Sequence, residues 1–201
     1  MSTTSQHRYA MVIDVRRCVS CHACTVTCKM ENDVPEGFFR SWVAEADKGV
    51  FPNVIRVKVP RLCNQCEDAP CTTVCPVKAT YHDEDGIVRI DPDKCIGCRY
   101  CIAACPYDQR YLNPENGMAD KCDFCIERVH AGLLPACVSN CIAHARYFGD
   151  LNDPNSIVSR LLAEESYQVL RPELGTKPRV FYIGLDEALA GADFSKLEKR
   201  G

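Results

Sequence analysis

The sixteen cysteines of this 201-residue chain constrain its fold more than any other feature. Without them the apolar fraction falls from 46% to roughly 38%. Apolar burial alone is then a weak source of stability, so bound groups or cross-links are expected to contribute. The cysteines form four groups of four, with none left over. Groups one to four are Cys18, Cys21, Cys24 and Cys28; Cys63, Cys66, Cys71 and Cys75; Cys95, Cys98, Cys101 and Cys105; and Cys122, Cys125, Cys137 and Cys141.

The spacing within the groups indicates what they bind. In groups one and three the cysteines are separated by two, two and three residues; the middle gap widens to four in group two and to eleven in group four. Three cysteines at two-residue gaps, then a fourth three residues later and a proline, form the bacterial ferredoxin pattern. Group three matches it fully, with Pro106, and group two ends in Cys75-Pro76. Groups one and four have Lys29 and Ile142 instead of the proline.

Disulfides and zinc are the alternatives to iron. Cysteines this close could hardly all form unstrained disulfides, and no secretory signal is expected from Met1–Ala10. Four-sulfur sites hold either zinc or iron–sulfur clusters, but zinc sites usually have two CxxC pairs separated by a longer loop. A zinc-binding scaffold protein and a free ferredoxin-like carrier therefore remain as alternatives to an electron-transfer subunit.

The ferredoxin pattern also predicts how the cysteines are shared. In two-cluster ferredoxins the fourth cysteine of each run binds the other cluster. Groups two and three, neighbours in sequence, then form one pair, and groups one and four form the second by elimination. Four self-contained sites remain the alternative. The chain is predicted to hold four [4Fe–4S] clusters, with all sixteen cysteines as iron ligands and no catalytic residue. The predicted sites are site 1 (Cys18, Cys21, Cys24, Cys141), site 2 (Cys122, Cys125, Cys137, Cys28), site 3 (Cys95, Cys98, Cys101, Cys75) and site 4 (Cys63, Cys66, Cys71, Cys105).

This sharing predicts an α+β fold made of two nested bacterial-ferredoxin-like 2×[4Fe–4S] modules. The outer module takes residues 1–59 and 118–150, with groups one and four. The inner module takes residues 60–117, with groups two and three. Residues 151–201 would supply a C-terminal helix, a loop and an extended tail that contacts a partner.

Local patterns place elements around the groups. Strands are predicted at 9–14 and, from its alternation, at 53–62, with a hairpin at 80–91. Residues 31–52 are predicted to be irregular because they contain two prolines and two glycines. Asp153-Pro154 predicts a helix start. A last strand is expected at 180–183, and a mobile or partner-ordered tail from Leu185.

Charge and missing motifs exclude several functions. With 24 basic and 27 acidic residues the net charge is −3, which argues against nucleic-acid binding. No apolar run is long enough for a membrane span. The chain has no dinucleotide-binding or phosphate-binding glycine loop. It is therefore not expected to be an enzyme by itself. Four basic residues next to cluster cysteines are candidates for raising the reduction potential, or are ordinary surface charges: Lys29, Lys94, Arg99 and Lys121.

The order of the four groups, with the wide fourth one, carries a resemblance to a known family. The chain resembles the iron–sulfur subunit of the molybdopterin oxidoreductase (dimethyl sulfoxide reductase) family, most of all that of polysulfide or thiosulfate reductase. The likeness runs from about Tyr9 to Ile183. The stretches that carry it include Tyr9–Asp14, Cys28–Asn32, Ala104–Asp108, Phe148–Leu151, Leu170–Glu173 and Gly175–Arg179.

The resemblance implies an electron-transfer subunit of a respiratory reductase. Its partners would be a catalytic subunit with a molybdenum or tungsten bis-pterin and an integral-membrane, quinone-reactive subunit. It implies that the clusters follow one another from site 1, nearest the catalytic subunit, through sites 2 and 3 to site 4, nearest the membrane. Arsenate, sulfite, tetrathionate, formate and hydrogenase complexes are the alternatives. It also implies attachment to the membrane through partners, on the periplasmic side by co-export or on the cytoplasmic side.

Overall fold

A computed structural model describes residues 7–194 and 199. Short elements alternate along the chain, and most of the cysteines lie in the loops and short helices between strands. The strands are β1 (Tyr9–Asp14), β2 (Ser41–Val50), β3 (Asn53–Leu62), β4 (Thr80–His82), β5 (Val88–Ile90), β6 (Tyr111–Leu112), β7 (Ala119–Asp120), β8 (Arg146–Asp150), β9 (Tyr167–Gln168) and β10 (Val180–Ile183). The helices are α1 (Ala23–Glu31), α2 (Pro70–Thr73), α3 (Tyr100–Ala103), α4 (Ile126–His130), α5 (Ala136–Ser139), α6 (Ile157–Glu164) and α7 (Glu187–Ala190), with a 3-10 turn at Pro172–Leu174.

The largest sheet joins distant parts of the chain. Its strand order is β8-β1-β10-β9, in which β1 is antiparallel to β8 and parallel to β10. Met11, at the centre, is opposite Phe148 on one side and Val180 on the other. Ala10–Ile13 are completely buried. The strands predicted at 9–14 and 180–183 are confirmed, and the fold combines helices and sheets as predicted.

A long hairpin corrects one prediction. The segment 31–52 was predicted to be irregular, but its second half is strand β2, which pairs with β3 from Ser41–Leu62 to Val50–Asn53. Pro35 and Gly37 lie before the strand and Pro52 lies at its turn, while Gly49 is within the strand and still pairs with Val54, so none of them interrupts it. The base of the hairpin is buried at Trp42, and its tip is exposed at Phe51.

The short helices pack in two pairs. Helix α1, which carries Cys24 and Cys28, contacts α5, which carries Cys137. Helix α2, with Cys71, contacts α3, with Cys101. The predicted hairpin at 80–91 is confirmed as β4 and β5. The module boundaries given above remain predictions.

The C-terminal part is more ordered than predicted. Helix α6 begins after Ser156, whose hydroxyl caps it, rather than at Asp153-Pro154. Its Val158 packs against Val12 and Ile183 of the large sheet. The tail predicted from Leu185 onward forms α7, and its Phe194 is buried in the main core. Residues 195–198, 200 and 201 of that tail lie outside the described residues.

Candidate iron–sulfur sites

The loops of all four groups share one backbone feature. The second residue after the first cysteine is in the left-handed region in every group, with φ between 47° and 66°; these residues are Ser20, Gln65, Gly97 and Phe124. Alternation of right- and left-handed residues turns successive backbone N–H groups toward one side of a loop. Such a concave loop suits a negatively charged group.

Two cavities each combine cysteines from two groups. The four cysteines of site 1 line one small cavity. There, Cys141 from group four faces the first three cysteines of group one. The four cysteines of site 3 line a second small cavity, where Cys75 from group two faces group three.

Asn32 links the cysteines of site 2. Its amide Nδ2 lies 3.7 Å from Cys28 Sγ and 3.8 Å from Cys125 Sγ, within reach of a weak hydrogen bond to either sulfur. Burial raises the pKa of the Cys28 thiol, and the nearby sulfurs of Cys137 and Cys125 raise it further. Cys28 therefore lies among the cysteines of group four, and all four members of site 2 are buried.

The cysteines of site 4 form a similar set. Burial raises the pKa of the Cys66 thiol to about 12, and Cys63, Cys105 and Cys71 add to that shift. Cys105 belongs to group three, whereas the others belong to group two. A hydrogen bond connects this set to site 2: the side-chain amide of Gln65 donates to the backbone carbonyl of Cys122 at 2.7 Å.

Two buried arginines contact cysteine sulfurs. Arg110 Nη2 donates to Cys71 Sγ at 3.0 Å, and Arg146 Nη2 donates to Cys24 Sγ at 3.4 Å. Burial lowers the pKa of each guanidinium, but the cysteine sulfurs, chiefly Cys71 for Arg110 and Cys24 for Arg146, outweigh it and leave both pKa values raised. The sequence analysis missed these arginines. A signal was present, since each lies five residues after the fourth cysteine of its group.

Buried hydrogen-bond donors around the cysteines show whether the sites fit iron–sulfur clusters. A charge buried without a counter-charge is costly. Nη1 of Arg146 and the amide Nδ2 of Asn64, which is next to Cys63, are buried donors with no hydrogen-bond partner among the described residues. A cluster with four thiolate ligands is negatively charged and presents sulfur acceptors. The sixteen cysteines and the buried donors around them therefore fit [4Fe–4S] clusters, which the cysteines would hold.

Comparison with known proteins identifies the family. A 4Fe-4S dicluster domain matches residues 55–151. The B subunit of tetrathionate reductase from Salmonella typhimurium is 51% identical over 187 residues, 91% of this chain and 75% of that protein. The thiosulfate reductase electron transfer subunit of Salmonella typhi is 50% identical over 152 residues, covering 73% of this chain and 78% of its own. The B component of polysulfide reductase from Wolinella succinogenes is 43% identical over 182 residues, which cover 88% of this chain and 94% of that protein.

The chain belongs to the family of reductase iron–sulfur B subunits. This confirms the resemblance drawn from the sequence, and it identifies an electron-transfer subunit rather than a catalytic one. Among the residues that the structure describes, no helix has the length and hydropathy needed to cross a membrane.

The other basic residues near the cysteines of this iron–sulfur subunit play different parts. Lys121 is buried and donates to the carbonyls of Val88 and Cys122. Lys29 donates to the Phe38 carbonyl at 2.7 Å, and Lys94 pairs with Asp91 near the surface. Of the four lysine and arginine candidates, Lys121 is thus the one placed inside the protein next to a cysteine backbone, and Lys94 and Arg99 are exposed surface charges.

Exposure of the cysteines varies between the sites. Cys21 of site 1 and Cys98 of site 3 are exposed, whereas no cysteine of site 2 or site 4 is. An exposed apolar side chain precedes each of the two by two positions: Val19 is 54% exposed and Ile96 is 64% exposed. Sites 1 and 3 therefore approach the protein surface.

Proposed function

We propose that this subunit holds four [4Fe–4S] clusters, at sites 1 to 4, and relays electrons between a quinone-reactive membrane subunit and a molybdenum or tungsten bis-pterin catalytic subunit. One observation carries the proposal: the loops bring three cysteines of one group together with the fourth of another, as in the cavity shared by Cys75 and group three. Each bound cluster supplies reversible one-electron transfer. The protein supplies the thiolates, the buried donors and the exclusion of water.

The exposure of the cysteines supports an order for the clusters. A terminal cluster must come near a partner, and sites 1 and 3 have the exposed cysteines. The loop of Gln65, in site 4, bonds to the carbonyl of Cys122, in site 2. We therefore propose the order site 1, site 2, site 4, site 3. In this order site 3 rather than site 4 is nearest the membrane subunit, which differs from the order that the family resemblance implied. The reason is that site 3 has an exposed cysteine and site 4 has none.

The names of the relatives support a substrate class. The tetrathionate, thiosulfate and polysulfide reductases act, by name, on compounds with a sulfur–sulfur bond. We propose that the complex served by this chain is a polysulfide- or thiosulfate-type respiratory reductase of that class. We further propose that the chain is bound to the membrane through its partners, on the periplasmic side.

Metal analysis of the anaerobically purified chain tests the four-cluster assignment. We expect about 16 iron atoms and about 16 acid-labile sulfides per chain, because four cubes contain four of each. Dithionite should bleach the absorption of the clusters. A fully loaded preparation with about 12 iron atoms, or one with stoichiometric zinc, would contradict the assignment.

A further inference from the structure

Two buried arginines occupy equivalent places in the two pairs of cysteine groups. Arg110 follows Cys105 by five residues and contacts Cys71, the third cysteine of group two. Arg146 follows Cys141 by five residues and contacts Cys24, the third cysteine of group one. The same contact therefore occurs once in each pair of groups, which points to a shared role rather than to a chance packing arrangement.

The remaining partners of both guanidiniums are neutral. Arg110 Nη1 donates to the Thr80 hydroxyl at 3.3 Å, and Arg146 Nη2 donates to the Ser41 hydroxyl at 3.0 Å. Within residues 7–194, neither arginine forms an ion pair with a carboxylate. Arg40, by contrast, pairs with Asp120 at 2.8 Å. The charges of Arg110 and Arg146 are thus left to act on the sulfurs beside them.

A fixed positive charge has a predictable effect on electron transfer. A four-iron cube with four thiolates changes from a dianion to a trianion when it takes one electron, which its neighbour or redox partner loses. A buried guanidinium stabilises the trianion more than the dianion, because the interior screens charge poorly. Hydrogen bonds to the sulfurs also set the reduction potential.

We propose that the charge of Arg146 raises the reduction potential of the cluster at site 1, and that the charge of Arg110 raises that of the cluster at site 4. This inference rests on the proposed function, because it requires those clusters. Among the described residues the direct guanidinium–sulfur hydrogen bonds go to Cys71 of site 4 and Cys24 of site 1. Arg146 also lies near Cys137 of site 2, so a smaller shift in the same direction is expected there. Within each pair of groups the larger effect is therefore expected at site 1 and at site 4.

Redox-titrated EPR of the iron-loaded chain tests the inference. Arg110→Gln should lower the midpoint potential of the signal that Cys63→Ala removes, and Arg146→Gln that of the signal that Cys18→Ala removes. Each shift should reach a tenfold change in the equilibrium constant, about 59 mV for a one-electron couple. Each variant should leave the other's signal unchanged, so the two serve as mutual controls.

Three further variants separate charge from packing. Arg56→Gln removes one charge from an exposed pair with Asp47 and should shift neither signal. Arg110→Lys and Arg146→Lys keep the charge, so a loaded lysine variant should keep its potential near that of Arg56→Gln. If a glutamine variant loses iron, Arg110→Met or Arg146→Met, which also lacks the charge, takes its place in the measurement.

Two results would overturn the inference: loaded glutamine variants with unshifted potentials, or loaded lysine variants with potentials that fall. Iron and sulfide analysis of the unmodified chain tells these apart from failure of the proposed function. A shortfall in that analysis counts against the clusters themselves, whereas unshifted potentials in a fully loaded chain count only against the role of the arginines.

Discussion

The side chains of Asn32 and Cys125 meet at 3.8 Å, from Nδ2 to Sγ, although 93 positions separate them in sequence. The same Nδ2 lies 3.7 Å from Cys28 Sγ. If these two cysteines bind one cluster, Cys28→Ala should perturb the same EPR signal as Cys125→Ala. The cluster whose signal depends on Cys18 should keep all four ligands, and its signal should be unchanged.

The inner groups offer the matched experiment. Cys75→Ala should perturb the same signal as Cys95→Ala, and Cys105→Ala the same signal as Cys63→Ala, because the fourth cysteine binds the cluster of the other group. If Cys75→Ala behaved like Cys63→Ala instead, each group would close on its own cluster and the proposed sharing would be wrong.

Gly97 is expected to be essential to site 3. A Cβ there would lie 2.3 Å from the carbonyl oxygen of Gly117, and φ is +66°. Gly117→Ala is the control, since φ is +68° but no atom lies within 4 Å. Both substitutions should cost about 1–2 kcal/mol for the left-handed backbone, and Gly97→Ala about 1–3 kcal/mol more for the overlap. Thermal midpoints of the loaded chain, measured with iron retention, check this; equal losses would contradict it.

Removal of iron should unfold much of the chain rather than only bleach it. Helices α2, α3 and α5 have four residues each, too few to be stable without tertiary support. Their cysteines would lose that support with the metal, because metal binding and folding are coupled in such sites. Far-UV circular dichroism before and after anaerobic chelation measures the effect. A native spectrum from the iron-free chain would contradict the prediction.

A pair of surface substitutions tests the order of the clusters. Val19 and Ile96 follow the first cysteine of group one and of group three, and both are exposed. In the assembled complex, Ile96→Glu should slow cluster reduction by quinol about tenfold, which is about 1.4 kcal/mol. Val19→Glu should instead slow reoxidation by the catalytic subunit. Stopped-flow absorption measures both steps; the reverse pattern would place site 1 at the membrane end.

Cysteine spacing predicted the family and the nature of the bound group, because ligand geometry is local and leaves its pattern in the sequence. The strand at Ser41–Val50 was not predictable in the same way. Its pairing with β3 and the burial of Trp42 come from tertiary contacts, whereas Gly49 and the flanking Pro35, Gly37 and Pro52 suggested a loop. For α7, a local signal was present: Asp186 accepts a hydrogen bond from the Leu189 N–H as an N-cap.

The site shows the same division. The local sequence predicts ligands, but the exposure of Cys98 depends on which surfaces the rest of the chain covers, so spacing could not predict which cluster is terminal. The roles of Arg110 and Arg146 likewise depend on contacts with Cys71 and Cys24, which lie in other groups. Only comparison of the two pairs of groups makes their common position visible in the sequence.

The pairing of β1 with β8 has a consequence for biosynthesis. A nascent chain that has reached residue 117 already contains α2 and α3, which pack together, and all the cysteines of groups two and three. It still lacks β8 and α5, which contact β1 and α1. We therefore expect the first cysteines to leave the ribosome, Cys18 to Cys28, to be among the last that are enclosed. Until the final third of the chain is translated, these thiols should stay open to oxygen and stray metals, and to the cellular machinery that delivers iron and sulfide.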